Sequence, residues 1–168
     1  MANYNKPWNG TKGNPMDLEL KVKVKILSAH IGAGVPFPAY ATAGSAGIDL
    51  AACLEAPLTV RPGARVAVPT GLALEIPHRG IVGLVFPRSG LATKFGISLA
   101  NAVGVIDSDY QGEIIVAIHN QSDQPYPINP GERIAQLLFL PVYRAVLEPV
   151  AELSGSERGA GGFGSTGK

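Results

Sequence analysis

At 168 residues the chain has the length of one domain and can bury a sizeable hydrophobic core. Its 14 basic and 13 acidic residues give a formal net charge of +1, which excludes a broadly basic nucleic-acid surface but allows a local cationic pocket. Cys53 is the only cysteine, so no intrachain disulfide forms, and no apolar run reaches membrane-spanning length. We expect a soluble, cytoplasmic protein that binds neither nucleic acid nor membranes.

Glycine and proline are frequent, with 21 and 14 residues, and lie between short runs of Val, Ile and Leu. Average usage is only ~7% for glycine and ~5% for proline. No long amphipathic helix interrupts this pattern. Many short strands joined by turns are typical of an all-β sandwich or barrel.

The N-terminal residues 1–17 are polar and contain several glycines and prolines, which predicts a flexible arm. Residues 18–26 then alternate strictly between apolar and charged side chains. This alternation predicts a strand with one buried face, and its lysines discourage pairing at the sheet edge.

An aspartate, Asp49, stands in the next apolar stretch between Ile48 and Leu50. A buried carboxylate requires a hydrogen-bond donor, a cation or a hydrated metal ion. A neighbouring backbone amide is the ordinary partner, so the residues alone favour a structural role.

Three strands are predicted next, at residues 65–69, 72–76 and 81–86, with a turn at Thr70 and Gly71. Residues 89–95 predict a short helix that Ser89 caps and Gly96 ends. A serine at a helix start beside Arg88 is typical of an anion site, although an ordinary capped helix has the same pattern.

Two aspartates and a tyrosine, Asp107, Asp109 and Tyr110, lie between the apolar runs 97–103 and 114–118. Gly104 and Gly112 flank them, which predicts a strand, a tight turn and a returning strand. A carboxylate held at the root of such a turn suits a general base, whereas a plain Asp/Gly turn is the alternative.

Residues 113–120 and 133–142 predict two further strands, the second carrying Arg133 and Gln136. The last segment has five glycines in residues 159–167. Successive glycine N–H groups can wrap an anion, although such a segment is otherwise a solvated terminus.

Five motifs in this order resemble those of the homotrimeric deoxyuridine triphosphatase (dUTPase) family, over residues 20–168. They are Ala46-Gly47-Ile48-Asp49-Leu50, Pro87-Arg88-Ser89-Gly90, Gly104-Val105-Ile106-Asp107-x-Asp109-Tyr110-x-Gly112, Gly131-Glu132-Arg133-Ile134-Ala135-Gln136 and Arg158-Gly159-x-Gly161-Gly162-Phe163-Gly164-Ser165-Thr166-Gly167. The resemblance implies an all-β jelly roll with one short helix. It also implies a homotrimer with shared sites, a β domain over 18–148 and a glycine-rich tail over 149–168 that closes over the site.

The implied reaction is hydrolysis of dUTP to dUMP and pyrophosphate by water attack at the α-phosphorus. Such a reaction supplies dUMP for dTTP synthesis and keeps uracil out of DNA. By resemblance, Asp107 is the general base, and Asp49 contacts a hydrated Mg²⁺ cofactor through water. The implied substrate-binding residues are Arg88, Ser89, Gly90 and Gln136 at the phosphates, Asn101, Val105, Ile106, Tyr110 and Ile115 at the nucleoside, and Arg158, Phe163, Gly164 and Ser165 in the tail.

Two alternatives stay open. A dCTP deaminase, or a bifunctional deaminase-triphosphatase, has the same fold but typically lacks the glycine-rich fifth motif. A nucleotide-binding regulatory protein on the same scaffold is the second, and the intact Asp107 and tail count against it.

Overall fold

A computed structural model of the chain describes residues 19–162. Within this range it has eleven strands and one helix: β1 (Lys23–Ile26), β2 (Ala39–Tyr40), β3 (Ile48–Ala51), β4 (Leu58–Val60), β5 (Arg65–Glu75), β6 (Ile81–Pro87), α1 (Ser89–Phe95), β7 (Ile97–Leu99), β8 (Gly104–Ile106), β9 (Glu113–Asn120), β10 (Tyr126–Ile128) and β11 (Arg133–Pro141). The predicted arm at 1–17 lies outside the described residues.

The strands form two main antiparallel sheets that pack as a jelly-roll sandwich. One has the order β1-β5-β9-β7 and the other β2-β3-β11-β6-β8, while β4 and β10 form a separate pair. The core lies between the sheets, with Val68 and Ile118 from the first and Leu50, Val85 and Ile134 from the second. The predicted all-β fold with one short helix is confirmed.

The edge strand β1 is shorter and more exposed than its alternating sequence predicts. Its apolar residues Val24 and Ile26 are 37% and 54% exposed, so the predicted buried face is wrong for the single chain. The alternation sets which side chains share a face: Val22 packs against the core, whereas Val24 and Ile26 further along the same face stay exposed.

A β-bulge replaces the turn predicted at Thr70 and Gly71. The two strands predicted at 65–69 and 72–76 are one strand, β5, whose pairing with β9 shifts between Pro69 and Ala73. Gly71 has φ +71°, a backbone conformation that glycine adopts readily, and its N–H donates to Glu113 Oε1 over 2.7 Å.

The central motif is not the predicted hairpin, because β8 and β9 do not pair with each other. Strand β8 pairs with β6, whereas β9 pairs with β5 and β7. The turn that carries Asp107 and Tyr110 therefore crosses from one sheet to the other. The returning strand β9 was predicted correctly, but the strand before the turn is β8 at Gly104–Ile106 and not the predicted run 97–103, of which only Ile97–Leu99 forms a strand.

Helix α1 occupies the predicted residues and ends at Gly96, whose φ of +66° is left-handed. The predicted serine cap is wrong: Arg88 is the N-cap residue and makes no side-chain capping hydrogen bond. The cap position requires extended backbone, and the chain is still extended at Arg88, one residue after the end of β6. Ser89 is thus the first helical residue.

The chain after Pro141 forms no strand or helix up to Gly162. Four apolar side chains on this segment, Tyr143, Val146, Leu147 and Leu153, are at least 88% exposed. Within the described part of the chain, no helix has both the length and the apolar character required to cross a membrane.

Candidate active site

Asp49 is buried on β3 between two arginines from neighbouring elements. Arg133 Nη1 donates to Asp49 Oδ2 over 2.9 Å, and Arg88 Nε lies 3.2 Å from Oδ1. The second pair lacks hydrogen-bond geometry, so Oδ1 keeps an unused acceptor. Of the partners that a buried carboxylate can take, the structure supplies cations rather than a backbone amide.

A cavity of about 260 Å³ lies beside this ion-pair cluster. It is lined by Arg88, Ser89, Gly90, Leu91, Lys94, Phe95 and Gln136. Arg88 follows the end of β6, α1 begins with Ser89 and Gly90, and β11 contributes Gln136 opposite Phe86. The fold therefore gathers four of the predicted substrate-binding residues, those expected at the phosphates, around one cavity.

Gly47 allows the side chain of Gln136 to lie where it does. A Cβ atom at Gly47 would come within 3.2 Å of Gln136 Cβ and 3.1 Å of Leu138 Cδ1. Both contacts are tighter than ordinary van der Waals packing. The first motif therefore positions Gln136 as well as Asp49.

An aromatic pair supports the floor of the cavity. The rings of Phe95 and Tyr126 are tilted by 48° with their centroids 5.1 Å apart. The Tyr126 hydroxyl donates to Glu132 Oε1. Burial, together with this hydrogen bond and the charge of Glu132, raises the pKa of Tyr126 well above its ordinary value. Tyr126 is thus held as a neutral donor.

The turn after β8 fixes Tyr110 in one orientation. The ring folds back over Gly112, where an added Cβ atom would lie 2.7 Å from Tyr110 Cζ. The Tyr110 hydroxyl donates to the carbonyl oxygen of Glu113 over 2.8 Å. The backbone N–H of Tyr110 donates to the carbonyl oxygen of Asp107 over 3.1 Å. The carboxylate of Asp107 is exposed beside this turn.

The residues expected at the nucleoside present an open surface. Val105, Tyr110 and Ile115 are 61%, 44% and 45% exposed, which is unusual for such large apolar side chains. Asn101 is exposed before β8, and Ile106 is half-buried on it. The structure therefore leaves this group available for contact with another molecule.

Asp107 and Arg88 of one chain lie at opposite ends of β6. Strand β8 runs antiparallel to β6 with Gly83 opposite Ile106 and Val85 opposite Gly104. Asp107 follows Ile106, so the register, continued by one residue, places it opposite Val82 and about six residues from Arg88, which corresponds to about 20 Å along extended strands. The cavity beside Arg88 is not lined by any residue of 101–115.

The tail residue Arg158 joins neither group. Its Nε donates to the carbonyl oxygen of Gly161 over 2.8 Å within its own turn. The predicted tail residues Phe163, Gly164 and Ser165 lie outside the described residues. The structure thus divides the predicted site into three groups. The first, the phosphate cluster, comprises the residues around the cavity beside Arg88. The second is the exposed group expected at the nucleoside, and the third is the tail.

Two charged residues near the cavity were not among the predicted site residues. Arg133 anchors Asp49, and Lys94 lines the cavity. A cation was one of the partners that a buried aspartate could take, but no sequence spacing identified Arg133. Lys94 follows Gly90 by four positions, the spacing of neighbours on a helix face.

Direct metal coordination by Asp49 does not fit this geometry, since both of its oxygens face guanidinium groups. No group of three or more His, Cys, Asp or Glu residues within 19–162 is arranged to hold a metal ion. Oδ1 is a buried acceptor without a hydrogen-bond partner among the described residues. Mg²⁺ keeps several waters and binds phosphate oxygens readily, so a water-mediated contact suits the donors present.

Comparison with known proteins identifies close relatives. The dUTPase family model matches residues 33–167. The deoxyuridine 5′-triphosphate nucleotidohydrolase of Aeromonas salmonicida is 52% identical over 148 residues, which cover 88% of this chain and 97% of the relative. The enzyme of the same name from Desulfitobacterium hafniense is 52% identical over 146 residues, covering 87% and 97%.

Solved structures agree with these matches. The dUTPase of Staphylococcus bacteriophage 80alpha with dUPNHPP has a TM-score of 0.77 and 30% identity, covering 88% of this chain and 99% of that one. A dUTPase variant from phage phi11 of S. aureus, described as coordinating a structural Mg(II) ion, has a TM-score of 0.70 and 24% identity, covering 80% and 99%. At that identity the second structure is compared for fold alone.

Proposed function

The chain belongs to the dUTPase family and hydrolyses dUTP to dUMP and pyrophosphate, and we propose that its active sites are shared between the chains of a homotrimer. In each site, Arg88, Ser89, Gly90 and Gln136 of one chain bind the phosphates. Asp107 of a second chain activates the attacking water. The separation of about 20 Å between Asp107 and Arg88 along β6 carries this proposal, because one water cannot contact both groups in the same chain.

The exposed apolar segment supports assembly. Tyr143, Val146, Leu147 and Leu153 have no cover within the described chain, although burying them would be favourable. The exposed face of β1 lies at the open edge of its sheet and offers an apolar surface. We propose that the segment after Pro141 packs on a neighbouring chain of the trimer.

The chemical roles follow from the residue types. Asp107 orients the water and accepts its proton, while the guanidinium of Arg88 and the donors of Ser89 and Gln136 stabilise charge on the phosphates. Asn101, Val105, Ile106 and Ile115 form the uracil surface, and Tyr110 packs against the deoxyribose. Arg158, with Phe163, Gly164 and Ser165, closes over the nucleotide as the tail of the β domain.

Mg²⁺ is the proposed cofactor, and when bound it neutralises charge on the triphosphate. Asp49 Oδ1 would hold one of its waters, with the carboxylate still fixed by Arg88 and Arg133. The flexible arm at 1–17, the domain limits at 18–148 and 149–168, and the cytoplasmic location stay predictions. The named relatives at 52% identity give no support to either deaminase alternative.

Mixing two inactive variants tests the shared site. Arg88→Gln and Asp107→Asn chains are each expected to lose at least about a hundredfold in kcat. After joint unfolding and refolding at equal amounts, about one quarter of the sites should combine an intact Arg88 with an intact Asp107. Recovery of dUTP hydrolysis in the mixture supports sharing, and a mixture as inactive as its components contradicts it.

The double variant provides the matched control. Refolded with an equal amount of wild-type chain, it should leave about one quarter of the sites active if each site draws on two chains, but about one half if Arg88 and Asp107 act in the same chain. Melting temperatures of the separate variants establish that each one folds.

A further inference from the structure

Lys94 is a cation without a partner in the phosphate cluster. The other guanidinium or ammonium group lining the cavity belongs to Arg88, which faces Asp49 and also donates to the carbonyl oxygen of Arg133 over 3.1 Å. In residues 19–162 the ion pairs join Lys23 to Glu75 and both arginines to Asp49, and none includes Lys94. No carboxylate lines the cavity. The uncompensated positive charge there therefore resides on Lys94.

The helix directs Lys94 over open space beside the start of α1. Side chains on a helix lean towards its N-terminus, so Lys94 leans towards the turn that contains Gly90, four positions earlier. A Cβ atom added at Gly90 would meet no atom within 4 Å. The space beside Gly90 is thus open, and Arg88, Ser89 and Lys94 line the same cavity.

We infer that Lys94 binds the β- and γ-phosphates of dUTP, the part of the substrate that leaves as pyrophosphate. This inference rests on the proposed function of the cavity as the phosphate site. The outer phosphates carry most of the negative charge of the triphosphate. Asp107 is proposed to act at the α-phosphorus, so it does not contact them. A mobile ammonium on a long stem follows such a group through several positions, whereas Arg88 is fixed by Asp49.

A purely structural explanation makes a different prediction. A lysine in the last turn of a helix interacts favourably with the helix dipole, so its loss would lower stability without changing substrate affinity. Lys94 is exposed and packs into no core, so Lys94→Gln is expected to fold as the wild type does.

Steady-state kinetics at saturating Mg²⁺ separate the two explanations. Lys94→Gln should raise the KM for dUTP and the inhibition constant of pyrophosphate roughly tenfold, the loss expected for one hydrogen bond to a charged group. Its kcat should change by less than about twofold because α-phosphorus chemistry is untouched. Inhibition by dUMP, which lacks the outer phosphates, should be unchanged, and Lys94→Arg should restore most of the affinity.

Lys21→Gln is the charge-matched control, since it removes an exposed lysine ahead of β1 and should behave as the wild type. An unchanged KM for dUTP in Lys94→Gln contradicts the inference. Equal weakening of dUMP and pyrophosphate also contradicts it, since that result means α1 has moved as a whole. A wild-type chain that fails to hydrolyse dUTP instead contradicts the proposed function, so the two failures are distinguishable.

Discussion

The carboxylate of Asp49 connects three of the five motifs, because its two oxygens face arginines from the second and fourth. A carboxylate that is only 8% exposed would be strongly destabilised without these charges. The arginines in turn gain fixed orientations from the carboxylate. We therefore propose that Asp49 acts at the site mainly by holding Arg88 and Arg133 in place.

Asp49→Asn tests this role. The substitution removes the charge that fixes both guanidinium groups, so we expect the kcat/KM for dUTP to fall by roughly tenfold or more. The Mg²⁺ concentration for half-maximal rate should change little, because phosphate oxygens and water remain the main ligands of the ion. A large rise in that concentration with an unchanged KM for dUTP would assign Asp49 chiefly to the metal.

Tyr110 gives a second prediction for a single residue. Its ring is held over Gly112, and we expect it to occupy the space that a 2′-hydroxyl would need. Tyr110→Ala should therefore raise the kcat/KM for UTP relative to that for dUTP. Tyr110→Phe keeps the ring but loses the hydrogen bond to Glu113, so it should retain selectivity. Equal ratios in the wild type and Tyr110→Ala would show that Tyr110 does not select the sugar.

At the scale of elements, local patterns identified most of the strands but not their partners. Strand β9 and helix α1 have the predicted bounds because periodicity and Gly96 act within a few residues. The pairing of β8 with β6 depends on contacts about twenty residues apart, which alternation does not encode. The short strands β2, β4 and β10 were not predicted, because two or three residues are too few to show a period.

The site shows the same division: its residues could be identified from the sequence, but the contacts between them could not. The motif resemblance indicated Arg88, Ser89, Gly90 and Gln136, and the fold places them around one cavity. It did not indicate that Arg133 pairs with Asp49, because this contact joins residues 84 positions apart through the register of β3 and β11. Such partners emerge only from sheet topology.

We propose that the C-terminal segment has two parts with separate functions. A chain that ends after Glu157 keeps the exposed apolar residues but loses the glycine-rich closing part. We expect it to assemble and to melt as the full chain does, while its kcat for dUTP falls by roughly a hundredfold because the site stays open to water. Turnover equal to that of the full chain would contradict a closing role for residues 158–168.

At the scale of the whole molecule, assembly and activity are expected to disappear together. A chain that ends after Pro141 also loses Tyr143, Val146, Leu147 and Leu153, the apolar surface proposed to join neighbouring chains. Light scattering should give three times 17.4 kDa for the full chain, and a smaller, inactive species for the chain ending at Pro141. An active species with the mass of one full chain would contradict the shared site.

The distance between Asp107 and Arg88 along β6 also bears on how activity returns after denaturation. A chain that has completed its own jelly roll still holds these two groups about 20 Å apart, so folding alone produces no turnover. Strand signals in circular dichroism should recover at a rate independent of protein concentration, whereas hydrolysis should lag behind them, with a delay that shortens as the protein becomes more concentrated.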